Sequence, residues 1–500
     1  SSAWWHIHHG ALNPDEGFYA IATRAVAQGE VPYRDFGFTQ PPLLLYANSM
    51  PLRAIGFGLF QQRFINGIWA MAALVLAAVW LARHTRPAWG VAFVGFAAMS
   101  SPWMYFIHLG KTYGFTCLLV MLGAWAFLEM AEGRRRNLVL GLFAALGIAS
   151  RLPAAPYFGL LAVLACWSGR PSLFGNIGAC AAGLALGLGV LALPFWLVAP
   201  DAVRFWVFDF HHVSVPLKTW HLRWQEIATL APAAWLLGLT GFAATLRQRR
   251  PSDRTLGVFA AACVALAVNL LPGGVYEEYA VPFLLPLVVA AAALLHEPGK
   301  LFRPAYGYGL IVVLAATQLL TAPLLFRDVL PQRKGTLSMW LPYNAPAYNR
   351  DLPRQLAAAR KIVAEAAPEN DSFVGSNLIL AAETGRPVAA ELRMGPFAFT
   401  KDMPFERAAH LHLATATQLD RWFDDPRTGT LAFFPNSLLN YNWSMPSFGL
   451  LPDEIRAARY ARVLQQYDVR FAEGDFVVLV RKPGINPCSG STISAEKQTE

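Results

Sequence analysis

Charged residues are scarce in this chain of 500 residues: Asp, Glu, Lys and Arg make up 15% of it, against 55% apolar residues. A typical soluble domain carries about 25% charged residues. So few charges could not cover a water-soluble protein of this size, which excludes a single soluble globule. Acids are scarcest in the middle, where residues 62–326 hold nine of the 32, whereas residues 327–500 hold 19. We therefore predict a membrane-embedded middle region followed by a water-exposed domain.

Cysteine is also rare, and its placement predicts neither disulfides nor a structural zinc site. Four of the five cysteines lie inside apolar runs, and Cys488 stands alone near the C-terminus. Disulfide frameworks and zinc sites have recurring cysteine spacings. The net charge of +9 does not predict nucleic-acid binding either, because the basic clusters lie between apolar runs, where Lys and Arg indicate membrane orientation.

Ten apolar runs in the middle region are candidate membrane-spanning helices, and a span needs about 20 apolar residues. They are 62–82, 88–107, 112–130, 137–150, 153–168, 173–198, 229–246, 255–271, 279–295 and 304–325. The runs 137–150 and 153–168 are short, and we predict a turn between them at Ser150–Pro153. The predicted fold class is a polytopic α-helical membrane protein with about ten visible spans and a C-terminal α/β domain.

The basic residues indicate which loops face the cytoplasm. One alternating set of loops carries Arg and Lys in excess, at 83–86, 134–136, 170, 247–254 and 300–303. Cytoplasmic loops carry such an excess, and an even number of spans then places residues 1–61 and 327–500 on the same, outer side. We predict a multi-pass protein of the bacterial inner membrane, with its N-terminal loop and C-terminal domain extracytoplasmic.

Two features of the first 61 residues bear on this topology. Residues 41–60 are apolar but interrupted by Asn48, Pro51 and Arg53, and a span there would break the alternation of the loops. We predict a helix lying at the outer membrane interface, with a span as the alternative. No signal peptide precedes Ser1, so we expect an initial transmembrane helix to be missing from the sequence.

The acidic C-terminal part alternates strand and helix patterns, which is typical of a small α/β domain. The predicted strands are 372–375, 387–390, 429–434, 468–472 and 475–481, and the predicted helices are 352–366, 377–384, 416–423 and 453–466. The predicted organisation is an outer loop with interfacial helices at 1–61, a transmembrane domain at 62–326, an extracytoplasmic domain at 327–483 and a disordered tail at 484–500.

A transferase site on the outer side has no access to ATP or sugar nucleotides, so its activated donor must arrive on a lipid. The first candidate residues for such a site are the adjacent acids Asp15 and Glu16. One carboxylate could serve as the general base that deprotonates an acceptor hydroxyl. In the alternative, Asp15 caps the next helix and Glu16 lies in its first turn, where acids are favourable.

Basic residues near the outer face are candidates for binding a phosphate. Arg151 lies at the predicted break between two short helices, where broken helices can place binding groups, although a snorkelling side chain would look the same. Lys111, beside His108, could hold a phosphodiester or anchor the helix end. Arg34 could meet a phosphate or form a surface pair with Asp35.

Further ionisable residues lie at the outer ends of the predicted spans. Glu277, Glu278 and Tyr279 precede a late span, and ionisable groups at membrane depth are functional candidates. His211 and His212 lie in a long outer loop. Adjacent residues of an extended segment point in opposite directions, so we predict no metal site, while divalent metal binding by this histidine pair stays an alternative.

These sequence motifs, in this order, resemble those of the GT-C superfamily of polytopic glycosyltransferases. The resemblance is strongest to the branch of protein O-mannosyltransferases and bacterial lipid A aminoarabinose transferases. The resemblance covers essentially the whole chain. The matching positions are the acidic pair Asp15-Glu16 followed by Tyr19, the proline pair in Pro41-Pro42-Leu43-Leu44, Arg63 opening the next span, the hairpin Ala149-Ser150-Arg151-Leu152 and the late Tyr279-Ala280-Val281-Pro282. In many relatives an acidic segment stands where this chain has His108-Leu109-Gly110-Lys111.

The resemblance implies transfer of a sugar from a polyprenyl phosphate to an acceptor outside the cytoplasm, with inversion at the anomeric carbon. It implies that Asp15 acts as base with support from Glu16, and that Arg151, Lys111 and Arg63 bind the lipid phosphate. The implied partners are the lipid-linked donor, membrane lipid and a lipid, glycan or protein acceptor, with no cofactor.

Two other classes of function stay open on the sequence. A non-catalytic membrane subunit that kept this scaffold for assembly or lipid binding would not bring Asp15, Arg151 and Lys111 together. A transporter of lipid-linked substrates would carry paired broken helices in its two halves, and the sequence shows no such pair.

Overall fold

The computed structural model describes residues 2–99, 101–168, 172–212, 234, 237–240, 243, 253–270, 277–296, 349, 351–366, 372–400, 403–434 and 453–483. The predicted span 304–325 and the predicted tail 484–500 lie outside the described residues, as does most of the predicted span 229–246.

Three helices form the first segment: α1 (Ser2–His9), α2 (Asp15–Ala27) and α3 (Leu43–Ile55). Asp15 and Glu16 lie in the first turn of α2, where their charge complements the helix dipole. The helix α3 has 13 residues, about 20 Å at 1.5 Å per residue. It is too short to cross a hydrocarbon core of about 30 Å, so the alternative span over 41–60 does not form.

Most of the middle region is helical. Its helices are α4 (Leu59–His84), α5 (Pro87–Met99), α6 (Ser101–His108), α7 (Tyr113–Glu129), α8 (Arg134–Ser150), α9 (Ala155–Ser168), α10 (Leu173–Leu191), α11 (Leu193–Val198), α12 (Pro200–Val207), α13 (Asp253–Leu270) and α14 (Val281–His296). Among the described residues, α4 and α10 are long and apolar enough to cross a membrane.

The predicted turn at 150–153 is confirmed, because α8 ends at Ser150 and a 3-10 turn, Leu152–Ala154, leads into α9. One other predicted span is interrupted, because residues 173–198 form α10 and α11. The break falls at Ala192, two residues before Pro194, and a proline interrupts the backbone hydrogen bonds of a helix interior. The predicted span 88–107 is helical on both sides of residue 100, which lies outside the described residues.

Small residues let α8 and α10 pack closely. A Cβ on Gly141 would collide with the backbone of Cys180, and one on Gly183 with the backbone of Leu138. Such contacts between small residues drive helix association where lipid is as apolar as the side chains. The other face of α10 is exposed, including Phe174, as expected for a lipid-facing helix.

The C-terminal part contains a four-stranded sheet of order β1-β2-β4-β3. Its strands are β1 (Phe373–Gly375), β2 (Thr430–Phe433), β3 (Tyr467–Glu473) and β4 (Phe476–Arg481), flanked by α15 (Leu352–Ala366), α16 (Ile379–Thr384), α17 (Phe405–His410), α18 (Ala416–Asp424) and α19 (Asp453–Gln466). The first two strands pair in parallel and the other pairings are antiparallel.

The predicted strand 387–390 is wrong. Pro387 has no N–H to donate to a strand ladder, and its carbonyl accepts one hydrogen bond from Phe373 instead. The chain then enters a 3-10 turn, Ala390–Leu392. The other predicted strands and helices of this part form within two residues of their predicted bounds.

The first segment and the C-terminal part share one hydrophobic core. Gly17 of α2 lies so close to α16 that a Cβ would come within 2.8 Å of the backbone nitrogen of Ile379. Arg24 of α2 donates to the carbonyls of Ala381 and Arg386. This packing fixes α2, and with it Asp15, on the C-terminal part of the chain.

Candidate active site

The ammonium of Lys111 lies between two carboxylates. Its Nζ is 2.7 Å from Oδ2 of Asp15 and 2.8 Å from Oε1 of Glu278. The hydroxyl of Tyr113 donates to the same Glu278 oxygen at 2.7 Å. Three residues that the sequence singled out separately therefore meet in one cluster.

Arg151 forms the second positive centre of this cluster. It donates through Nη1 to Oγ1 of Thr112 at 2.8 Å and through Nη2 to the hydroxyl of Tyr113 at 3.3 Å. Its guanidinium lies 4.5 Å from the ring centroid of Tyr113 and 4.4 Å from that of Tyr279, a distance at which a cation is attracted to a ring face. Its buried Nε has no hydrogen-bond partner among the described residues.

Interruptions in helical structure place each of these side chains. Asp15 is the first residue of α2, and its N–H donates to the side chain of Asn13. Lys111 lies in the bend between α6 and α7, Arg151 between α8 and the 3-10 turn, and Glu278 in a 3-10 turn just before α14. Residues far apart in sequence thus converge at the ends of four helices.

The cluster contains two carboxylates, Asp15 and Glu278, and two cations, Lys111 and Arg151. The side chain of Lys111 is 6% exposed, that of Glu278 13% and that of Asp15 24%, so Asp15 is the most accessible of the three. Burial disfavours the charged form of Lys111, but Asp15 and Glu278 more than offset this effect and hold its pKa well above the ordinary value.

Tyr19 borders the cluster from α2. Burial raises the pKa of Tyr19 to about 12, although the nearby charges of Arg151 and Lys111 act in the opposite direction. Its hydroxyl therefore stays protonated at neutral pH.

Glu16, the other half of the acidic pair, points away from Asp15 into a buried ion pair with Arg63. Both side chains are 1% exposed. Arg63 uses all five of its N–H groups, two on Glu16 and three on the carbonyls of Ile7, Gly10 and Ala11. It has no donor left for a phosphate. Its hydrogen bonds tie α4 to the first turn of α2 and to the chain that precedes α2.

The other predicted site residues lie apart from this cluster or outside the described side chains. Arg34 is half exposed and pairs with Asp35. His211 is hydrogen-bonded to the carbonyl of Thr39 at 2.7 Å. His108 is buried, with Nδ1 at 2.6 Å from the carbonyl of Met104. The side chains of His212 and Glu277 lie outside the described part of the structure.

The described residues contain no group of three or more His, Cys, Asp or Glu side chains that could hold a metal ion. Sequence reasoning missed two members of the cluster, Thr112 and Tyr113, which hold Arg151. Their one available signal was their position directly after Lys111 at the end of an apolar run.

No protein-family model and no curated protein matches the chain, but solved structures do. ArnT from Cupriavidus metallidurans bound to undecaprenyl phosphate matches with a TM-score of 0.63 and 13% identity, over 96% of this chain and 96% of that one. The same protein in its apo state matches with a TM-score of 0.65 and 15% identity, over 98% and 97%. The chain has the GT-C fold. The resemblance inferred from the sequence motifs is thereby confirmed at the level of the GT-C fold, a polytopic membrane fold.

Proposed function

We propose that this protein is a membrane glycosyltransferase that moves a sugar from a polyprenyl phosphate to an acceptor hydroxyl or amine, with inversion at the anomeric carbon. The observation that carries the proposal is the convergence of Asp15, Lys111, Glu278 and Arg151. The GT-C fold supports it, and so does the undecaprenyl phosphate bound by the similar ArnT. The loop charges favour reaction on the extracytoplasmic side, where residues 1–61 and 327–483 would lie.

In the proposed reaction, Asp15 is the general base. Its carboxylate takes the proton of the acceptor hydroxyl as the hydroxyl oxygen attacks the anomeric carbon. The new bond from carbon to acceptor oxygen forms while the bond from carbon to phosphate oxygen breaks, and its electron pair leaves with the polyprenyl phosphate. Asp15 is suited to this role because it is the most exposed carboxylate of the cluster.

Lys111 and Arg151 are the proposed ligands of the leaving phosphate. Charge develops on the phosphate as the bond to the sugar breaks, and fixed cations in a site poor in water stabilise such charge strongly. Within the part of the chain that the structure describes, the Nε–H group of the Arg151 guanidinium is unpartnered. Lys111 would exchange a carboxylate for a phosphate oxygen.

A non-catalytic subunit with the same scaffold has no need to place a carboxylate beside two cations at the outer helix ends. Burying ionisable groups is costly, and the cluster contains four of them. Their convergence therefore favours an enzyme over the assembly or lipid-binding subunit that the sequence left open.

The proposal is tested by reconstituting the purified protein in liposomes with polyprenyl phosphates that carry different labelled sugars and with a mixed extract of envelope lipids and glycans as acceptor. We expect the label to pass to the acceptor for at least one donor, with inverted anomeric configuration in the product. Retention of configuration, or no transfer from any polyprenyl-phosphate donor, would contradict the proposal.

A further inference from the structure

The bend that carries Lys111 is held by buried side chains of α4. Gln62 donates through Nε2 to the carbonyl of Gly110 at 2.8 Å, and Asn66 donates through Nδ2 to the carbonyl of Leu109 at 2.8 Å. Gln62 is 2% exposed and Asn66 is fully buried. These two amides thus fix the two residues that directly precede Lys111.

A third contact holds the same bend from the other side. The N–H of Gly110 donates to Oε1 of Glu16 at 2.9 Å. Gly110 fits tightly, since a Cβ there would lie 3.0 to 3.2 Å from the amide group of Gln62. The backbone groups of an interrupted helix need such partners because an unsatisfied buried carbonyl or N–H is costly.

Asn66 is itself oriented by a chain of hydrogen bonds. Its Oδ1 accepts from Nδ2 of Asn48 at 3.1 Å, and Oδ1 of Asn48 accepts from Nε1 of Trp69 at 2.9 Å. Both functional groups of Asn66 are therefore in use, and its amide can point only one way. The bend is anchored to α3 and α4 together.

We propose that Gln62 and Asn66 are positioning residues that set the location of the Lys111 ammonium for binding the donor phosphate. This inference rests on the proposed function, in which Lys111 meets the phosphate. Neither amide lies among the charged groups of the cluster; both act through the backbone of the bend. A displacement of about 1 Å in a positioned group can lower a reaction rate on the order of a hundredfold, and a cation moved away from the phosphate oxygen loses part of its attraction to it. The bend therefore needs this rigidity.

The test is equilibrium binding of a polyprenyl phosphate without sugar to the full-length protein in detergent. Gln62→Met keeps the side-chain size and removes the donor, and Asn66→Ala removes the second donor. We expect each to weaken binding about tenfold or more, the size of a lost hydrogen bond to a charged group. The control is Asn137→Ala, which removes a buried asparagine of α8 bonded to the carbonyl of Gly133, and we expect it to bind as wild type.

A double-mutant cycle with Lys111→Met separates positioning from a general loss of structure, because residues that act through one another are not additive. We expect Gln62→Met and Asn66→Ala to weaken binding no further once Lys111 is Met. Full additivity in that background, or unchanged binding in both single variants, would overturn the positioning role. If Lys111→Met itself binds as wild type, the phosphate role of Lys111 in the proposed function fails, and the positioning role fails with it.

Discussion

The ammonium of Lys111 lies 2.7 Å from the carboxylate of Asp15, so the proposed base and a proposed phosphate ligand form an ion pair. While this pair persists, the carboxylate of Asp15 accepts a charge-assisted hydrogen bond from the ammonium. A donor phosphate that bound Lys111 would loosen this pair. Binding of the donor would then free the carboxylate of Asp15 to accept a hydrogen bond from the acceptor hydroxyl.

Asp15→Asn tests the base. Asn has the size of Asp but takes no proton at neutral pH, so we expect the rate of transfer to fall by about 10² to 10⁴, the usual contribution of general base catalysis. Expression and membrane insertion should be unchanged, and the exposed Asp201→Asn serves as the matched control. Full transfer activity in Asp15→Asn would remove Asp15 from the mechanism.

Glu278→Gln tests how the two carboxylates share Lys111. In this variant residue 278 is neutral, so Lys111 pairs with Asp15 alone. The ion pair between Lys111 and Asp15 then becomes harder to break when the donor binds. We expect kcat to fall about tenfold while donor affinity stays equal or rises, because one negative charge near the phosphate is gone. Steady-state kinetics with varied donor concentration separates the two effects. Weaker donor binding with unchanged kcat would contradict this assignment.

The pH dependence of donor affinity follows from the pKa of Lys111. A free Lys titrates near pH 10.4, and the folded protein holds the pKa of Lys111 well above its ordinary value. The side chain of Lys111 therefore stays charged at pH values below its raised pKa. It loses its charge only as the pH rises through that pKa. We expect the KM for a phosphodiester donor to stay constant between about pH 7 and pH 9. A KM that rises tenfold over this interval would indicate that Lys111 deprotonates there.

Glu16→Gln tests the structural role of the second acid. It leaves Arg63 buried with no carboxylate, and breaking a buried ion pair in this way destabilises a protein by about 3–5 kcal/mol. We expect a clearly lower midpoint of thermal unfolding in detergent, whereas Arg427→Ala, in an exposed pair with Asp425, should melt as wild type. An unchanged midpoint in Glu16→Gln would show that the pair contributes no stability.

The sequence located the charged members of the cluster from local signals. Lys111, Arg151 and Glu278 are charges at the ends of apolar runs, and Asp15 belongs to a pair of adjacent acids. The break at 150–153 could be found in the same local way. The sequence could not separate the roles of Asp15 and Glu16. Successive residues of a helix point about 100° apart, and only the packing of α2 shows which of the two faces the cluster.

Other features depended on contacts between distant segments. The carbonyls of Leu109 and Gly110 take their partners from α4, and no local pattern predicts this pairing. The predicted strand 387–390 does not form because Pro387 has no N–H to donate to a strand ladder.

Binding of polyprenyl phosphate tests the central claim most directly, because it does not depend on knowing the donor sugar. We would measure its dissociation constant for the wild type, Lys111→Met, Arg151→Met and the exposed control Arg427→Met. The account predicts that both cluster variants bind at least about tenfold more weakly, each having lost a charge-assisted contact, and that the control binds as wild type. Equal affinity in all four proteins would contradict it.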